Sequence, residues 1–574
     1  MEGPAASSGA TPARSNPVSS NPVGRVIGTE DATPLEFWVA VDRGHYLQLD
    51  DVVALERPLP DGEVVRIFGV VEQVRARHEG ARYDSDVFLI ESGLLPAEVS
   101  EAAMVSATRF EPERFVPPLP GLPVRIAEGT EREQALFFDL MTSKLPIGLS
   151  RNGEPLFLNL EFIDGQRGAH INISGISGVA TKSSYATFLL HSLFTSGVLG
   201  NRAVNTKALI FNVKGEDLLF LDHANKALAD EQRLKYKLLG LPAEAFRSLK
   251  VYAPPRPGPS AAPDVSSRVR GVTACFWTLE EFCHQDLLPF LFADAEDDRA
   301  QYTMVIHNVM AQLRRATPIG DGGVRIEGKD LRTFKDLVEV VNQKVSDEHD
   351  GPTWAGPAIG RGTVNAFVRR LAAAVRHLER LIRGDQPEPE KHRVNLDHQV
   401  TVVDLHNLHD RAKRFVVGVT VRKAFDEKET AGQSGELLFL VLDELNKYAP
   451  SEGGSPIKEM LLDVAERGRS LGVILIGAQQ TASEVERRII ANSAIRVVGR
   501  LDPAESAREQ YGFLPPVQRQ RATILKPGTM LLSQPELPVP LLLEFPFPAW
   551  ATRASEAIRP ASDHRDEDPF AGLT

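Results

Sequence analysis

An α/β protein, with a small all-β module ahead of its core and a mainly helical insertion within it, is what the residue pattern of this chain calls for. Three observations point there. Short β-rich runs punctuated by Gly, Pro and Asp fill the N-terminal part. Beyond them, continuous apolar runs of strand length alternate with stretches of helical periodicity, the signature of a doubly wound, mostly parallel sheet. Between two of those runs lies a long segment whose apolar residues recur at helical spacing.

Taken in order, Met1 to Val23 is rich in Ala, Ser, Pro and Gly, has no apolar signal-peptide core and reads as a disordered tail (1–23). The runs Phe37–Val41, Asp51–Leu55, Val64–Val71 and Asp86–Ile90 read as strands of a small barrel spanning 24–118. The Pro-rich stretch Val116–Pro123 is expected to end that module, because proline stiffens a link and stops strand pairing. A core begins in 119–224 and resumes in 398–554 with C-terminal strands. Its strands are expected at Ala169–Ser174, Ala208–Val213, Gln399–Leu405, Leu437–Leu442, Gly472–Ile476 and Ile495–Arg500. The intervening 225–397 is expected to be mainly α-helical, from Leu287, Leu288, Phe290 and Leu291, then Met304, Val305, Val309, Met310 and Leu313, with further helices over Phe334–Val345 and Val364–Ile382. Ala316–Gly328 reads as an exposed loop and 555–574 as a disordered tail.

Composition narrows the class. With 574 residues the chain has length for about three or four domains. Its 42% hydrophobic and 25% charged residues are those of an ordinary globular protein, and no run approaches the roughly 20 apolar residues of a membrane span, so a cytoplasmic protein without a membrane partner is expected. Cys275 and Cys283 have neither zinc-ligand spacing nor a disulfide framework and read as reduced packing residues. The net charge of −12 opposes a surface that coats nucleic acid, so any such contact must be local, as in a channel.

The strand Ala169–Ser174 runs into Gly175-Ile176-Ser177-Gly178-Val179-Ala180-Thr181-Lys182-Ser183-Ser184. A Gly/Ser loop between a strand and a helix start gathers backbone N–H groups into an anion nest; Lys182 adds charge for terminal phosphates and Ser183 a hydroxyl for Mg²⁺. Gly175, Gly178, Thr181, Lys182, Ser183 and Ser184 are the expected phosphate-binding residues. Thr181 stands where the usual pattern has glycine. A β-branched residue there disfavours a left-handed turn, so the loop is either longer by one residue or shaped by other positions.

The apolar run Leu437–Leu442 ends in Asp443-Glu444, as expected of a central strand buried on both faces that delivers acids to its C-terminal end. There Asp443 is expected to hold Mg²⁺ through water and Glu444 to polarise the water that attacks a γ-phosphate. Ile457, Met460, Leu461, Val464 and Ala465 form one helical face that places Arg467 and Arg469 at the helix end. The next strand delivers Gln479 and Gln480 to the edge that carries Glu444, where an amide can sense a phosphate, orient water or cap a loop.

This order of motifs resembles the HerA branch of the HerA/FtsK ATPases from about Arg25 to Phe547, most weakly across the insertion. The resemblance implies a RecA-like P-loop core behind that family's N-terminal barrel, with ATP and Mg²⁺ as cofactors. Leu209-Ile210-Phe211-Asn212-Val213-Lys214-Gly215-Glu216-Asp217 stands at the family's "D-x-H-G-E" element, with Asn212 and Lys214 replacing its Asp and His. Ala465–Gly472 is similar to the arginine-finger segment, which implies that role for Arg469, with Arg467 as fallback. Gly477–Val485 is similar to the family's "T-Q-R-P-S" element and places Gln480 on its sensor glutamine. Since a finger must reach a phosphate bound elsewhere, the resemblance implies a homo-oligomeric ring, in this family a hexamer.

Two functions follow as expectations. One is a ring motor that translocates or unwinds double-stranded DNA. The family resemblance implies a separate nuclease or defence effector docking on the barrel, in DNA repair or antiviral defence. The other is a weakly hydrolysing platform whose nucleotide state organises an effector, which the irregular phosphate loop and Asn212 favour.

Overall fold

Among the described residues, six strands close the N-terminal barrel in the order Gly24–Val26, Glu36–Val41, Glu98–Glu111, Val64–Glu79, Val52–Pro58 and Pro123–Ile126. Alternate residues point inward and are buried together, Phe37, Val39, Leu55, Ile67, Val105 and Val124 among them. The computed structural model describes residues 21–176, 182–268, 270–292, 300–432 and 436–558, so most of both expected tails, and Gly178 and Thr181, lie outside the described residues. The chain divides into two compact units, one ending at Leu140 and one beginning at Met141.

Two features of the barrel differ from the sequence expectation. The Pro-rich stretch precedes one more barrel strand: Pro123 opens Pro123–Ile126, which pairs with both Gly24–Val26 and Val52–Pro58. Proline is tolerated there because the first residue of a strand can forgo its N–H. The run Asp86–Ile90, expected as a strand, lies within a short helix, Asp86–Glu91. The Asp86 carboxylate accepts the backbone N–H groups of Arg82 and Tyr83 at 2.8 and 3.0 Å and winds the chain before it can extend. Periodicity alone does not separate strand from helix in so short a run.

The second unit is built on a sheet that has 12 strands among the described residues. Its parallel part runs Val272–Ala274, Leu249–Ala253, Val400–Asp404, Lys207–Asn212, Leu438–Asp443, Val473–Gln479, Ile171–Ser174, Ile495–Val498. It continues antiparallel through Thr529–Ser533, Leu541–Glu544, Lys144–Leu149 and Pro155–Asn159. The central strand Leu438–Asp443 is buried at every position, which is why its sequence is a continuous apolar run. Helix Lys182–Thr195 buries Tyr185, Phe188, Leu189 and Leu193, and its Tyr185 and Ser192 hydroxyls donate to the carbonyls of Ile147 and Pro146 at 3.2 and 2.6 Å.

The insertion is helical over Leu279–His284, Ala300–Leu313, Phe334–Ser346 and Arg361–Leu378, but its first part adds two strands, Leu249–Ala253 and Val272–Ala274, to the edge of the large sheet. Strands this short leave little periodic trace. Within Ala316–Gly328, read as an exposed loop, Thr317–Ile319 and Gly323–Ile326 pair in a small antiparallel sheet that buries Val324 and Ile326. Residues 555–558, read as tail, are anchored, with Ile558 donating to the Ala224 carbonyl at 2.9 Å. Cys275 and Cys283 are buried free thiols, pushed up to about 12 by that burial. Among the described residues no helix is long and apolar enough to cross a membrane.

Candidate functional site

Parallel register brings the C-terminal ends of the central strands to one edge: Gln479 lies beside Ser174, Asp443 beside Ala478, and Asn212 beside Asp404. At that edge Gly175 leaves its strand so close to the next that a side chain would meet the Arg500 carbonyl oxygen at 3.2 Å, and its N–H donates to the Gln479 carbonyl at 3.2 Å. Lys182 is the first residue of the following helix. Its side chain is buried, and the ammonium donates to the Gly175 carbonyl at 2.7 Å. Burial lowers its pKa to about 8; Asp443 and Glu444 oppose this fall and Lys214 adds to it.

Ser183 follows, and its Oγ donates to Asp443 Oδ2 at 2.8 Å across 260 residues of sequence. The other Asp443 oxygen accepts the Glu444 backbone N–H at 2.8 Å. Glu444 takes a left-handed conformation (φ 58°), which breaks the strand after Asp443. Its carboxylate is held by two ammonium groups: Lys447 Nζ at 2.8 Å from Oε2 and Lys214 Nζ at 3.6 Å from Oε1. Lys214 Nζ also lies 3.2 Å from Asp443 Oδ2.

Lys182, Ser183, Ser184, Lys214 and Asp443 line a cleft of about 370 Å³, walled opposite by Phe547, Thr552 and Arg553 of the C-terminal segment. That volume lies within the roughly 300–1,000 Å³ of small-molecule sites. A hydroxyl and a carboxylate, both hard oxygen donors, beside a buried ammonium suit a hydrated Mg²⁺ carried on a polyphosphate.

The other expected residues stand apart from this cleft. Arg469 donates to the carbonyls of Gly165 and Gln166 at 3.1 and 2.5 Å, and Arg467 pairs with Glu429, so neither lines the pocket of its own chain. Gln480 is exposed at the strand end. Its neighbour Gln479 is wholly buried and donates to Asn172 Oδ1 and Ser174 Oγ at 2.9 and 3.0 Å, tying its strand to the one that enters the phosphate loop.

Four parts of the site stand outside the residues expected from sequence. Lys447 and the C-terminal wall carry no local signal. Lys214 was legible only as a departure at the "D-x-H-G-E" position. Asp404 had a signal that went unused: Val400–Asp404 is an apolar run ended by an acid, like the one ended by Asp443. It accepts the side-chain N–H of Asn212, on the adjoining strand, at 2.8 Å and pairs with His406 Nδ1 at 2.7 Å.

A parallel sheet, a strand followed in sequence by a helix headed by Lys182, and an acid-ended strand two places away define an α/β fold of the P-loop ATPase kind, preceded by a closed six-strand barrel. Among solved structures, VirB4 of Thermoanaerobacter pseudethanolicus is similar at 16% identity over 70% of this chain and 96% of its own, with a TM-score of 0.43. The plasmid coupling protein TrwB, in complex with a non-hydrolysable ATP analogue, is similar at 12% identity over 76% and 96%, with a TM-score of 0.46. The genome packaging NTPase B204 from Sulfolobus turreted icosahedral virus 2, in complex with ATP-gammaS, is similar at 12% identity over 26% and 69%, with a TM-score of 0.20. At these identities and scores the likenesses assign no activity to this chain. No protein-family model matches it, and no curated protein matches it.

Proposed function

We propose that the chain is a Mg²⁺-dependent ATPase of the HerA type that assembles into a ring, a hexamer in that family, and moves double-stranded DNA through the channel. The observation that carries the reading is the Ser183 to Asp443 hydrogen bond beside Lys182, which gathers a hydroxyl, a carboxylate and an ammonium from distant segments onto one sheet edge. In this reading Lys182, at the head of its helix, binds the phosphates of ATP. Ser183 and Asp443 would hold the Mg²⁺, which when bound supplies charge neutralisation on the triphosphate. Glu444 orients the attacking water and takes up its proton once its carboxylate is released from Lys214 and Lys447.

Support for a ring comes from Arg469, which the family resemblance makes a finger and which lies away from its own cleft, so its phosphate would belong to a neighbouring copy. Support for an effector on the barrel comes from exposed apolar side chains between two long barrel strands: Tyr83, Phe88 and Leu94 are all at least 70% exposed. The alternative, a weakly hydrolysing platform, is favoured by one observation, the double ammonium clamp on Glu444.

ATP turnover with and without linear duplex DNA separates the two readings. The motor reading expects DNA to accelerate turnover, Lys182→Ala and Glu444→Gln to abolish it, and a mixture of Lys182→Ala and Arg469→Ala chains to recover part of it, because each variant supplies what the other lacks. Turnover that ignores DNA, or singly mutated chains that never complement, would sink the motor and the shared site respectively.

A further inference from the structure

Lys214 enters the reading above only as a clamp on Glu444, yet its ammonium lies nearer to Asp443. The turn that presents it is pinned: the Asn212 side-chain amide donates both to the Gly215 carbonyl and to Asp404 Oδ1, each at 2.8 Å. The backbone at 214 is thereby fixed against the edge of the sheet, while the Lys214 side chain keeps 41% of its surface exposed and has room to swing. Its ammonium shares a single acceptor with Ser183. Asp443 Oδ2 takes the Ser183 hydroxyl at 2.8 Å and Lys214 Nζ at 3.2 Å, with Glu444 Oε1 3.6 Å away.

That oxygen is the one beside the hydroxyl, where a hydrated divalent cation would have to approach. An ammonium and the hydration shell of a dication compete for the same acceptor and repel one another. Charge around the cleft gives the reason for such a group. Lys182, Lys214, Lys447 and Arg553 stand against Asp217, Asp443, Glu444 and Glu556, four positive charges against four negative, so the site without ligand is balanced. Without Lys214 the same groups sum to −1, and two adjacent carboxylates would meet an arriving polyphosphate with less compensation.

We propose that Lys214 is a tethered counter-ion that stands in for the metal at Asp443: it makes the site receptive to a nucleotide without metal, and it leaves Asp443 when Mg²⁺ enters with the nucleotide. The inference rests on the reading of the cleft as a Mg²⁺-nucleotide site. It adds a consequence that reading lacks, since one side chain strengthens metal-free binding and weakens the apparent grip on the metal. Its release from Asp443 also takes one of the two ammonium groups off Glu444, which couples metal entry to freeing the base.

The test uses the full-length chain and binding of N-methylanthraniloyl-ADP followed by fluorescence anisotropy, first in EDTA and then along a Mg²⁺ series. Lys214→Met is expected to weaken binding in EDTA by about fivefold or more and to lower the Mg²⁺ concentration at the binding midpoint by about fivefold, the size of one unit charge a few ångströms away under water-like screening. Lys447→Met removes the same charge without vacating Asp443 and is expected to move the Mg²⁺ midpoint less. Thermal melts establish that the variants are folded, and Lys214→Gln carries the same test should Lys214→Met not fold. A Lys214→Met chain with the wild-type Mg²⁺ midpoint, or with undiminished binding in EDTA, overturns the counter-ion and leaves the nucleotide site standing. Wild-type protein that binds no nucleotide at any Mg²⁺ concentration overturns both.

Discussion

Asn212 and Asp404 form one polar contact across two neighbouring strands at the edge that carries the site. The buried Asp404 carboxylate accepts the Asn212 amide and pairs with His406, and its pKa is raised by desolvation against those favourable contacts. An acid placed there by Asn212→Asp would remove the donor from Asp404 and set a second carboxylate against it. Stability should fall by about 2 kcal/mol or more at neutral pH, the cost of an unpaired buried charge beside a like one. The exchange Asn212→Asp with Asp404→Asn should recover most of that loss, since it restores one acid and one amide across the same gap. Urea denaturation of the two single variants and the double variant measures the coupling, and additive losses would refute it. Of the site residues, Lys182, Ser183 and Asp443 could be read from the chain because a phosphate loop and an apolar strand ended by an acid are local patterns. Lys214 and Lys447 could not, because a surface lysine becomes a partner of Glu444 only through a turn that sequence does not describe.

Strands carry the site, and the spacing between neighbouring strands limits what it tolerates. Gly477, on the strand between the phosphate-loop strand and the acid-ended strand, faces Leu445, and a Cβ there would lie 2.5 Å from Leu445 Cδ2. Leu445 is wholly buried and follows Glu444 directly. Gly477→Ala should therefore cost about 1–3 kcal/mol by overpacking and lower ATP turnover by displacing Glu444. Pairing it with Leu445→Ala should return part of both, measured by thermal melts and steady-state hydrolysis. No recovery in the pair would mean that the damage comes from elsewhere in the strand. The helix Pro456–Leu471 is tied to the same layer through His170, whose Nε2 donates to the Ala465 carbonyl at 3.1 Å while Nδ1 accepts the Leu475 N–H at 2.9 Å. That pair of bonds fixes one neutral tautomer and ties to the sheet the helix whose last turn carries Arg469.

For the molecule as a whole, two buried histidines make stability depend on pH. Burial lowers His170 to about 4, against a carbonyl contact that opposes the fall, and lowers His191 to about 4 where its ring stacks on Trp550 at 4.8 Å. Both folded-state values lie below the unfolded value near 6.5, so the unfolded chain binds these protons first. The stability they contribute is complete above about pH 6.5, falls as the pH drops and is lost by about pH 4, on the order of 3 kcal/mol for each ring. Melting temperature should decline across that window, and His191→Phe should flatten the decline. A melting temperature constant from neutral pH to about pH 5 would contradict the assignment.

The alternation of buried strands with helices and the acids at Asp443 and Glu444 were present in the order of residues, since burial on both faces of a strand imposes a local pattern. The barrel was partly legible. Its alternating runs showed, but the Pro-rich stretch hid a further strand, because proline at a strand's first residue looks like a boundary in one dimension and pairs in three. Asp86–Ile90 is helical where its sequence suggests a strand, because five apolar and acidic residues fit either conformation until backbone hydrogen bonds choose. The contact of Ser183 with Asp443, the acid supplied by Asp404 and the ammonium groups on Glu444 were fixed by folding alone. They join residues far apart in the chain, and strand order and register, not spacing along the polypeptide, set those distances.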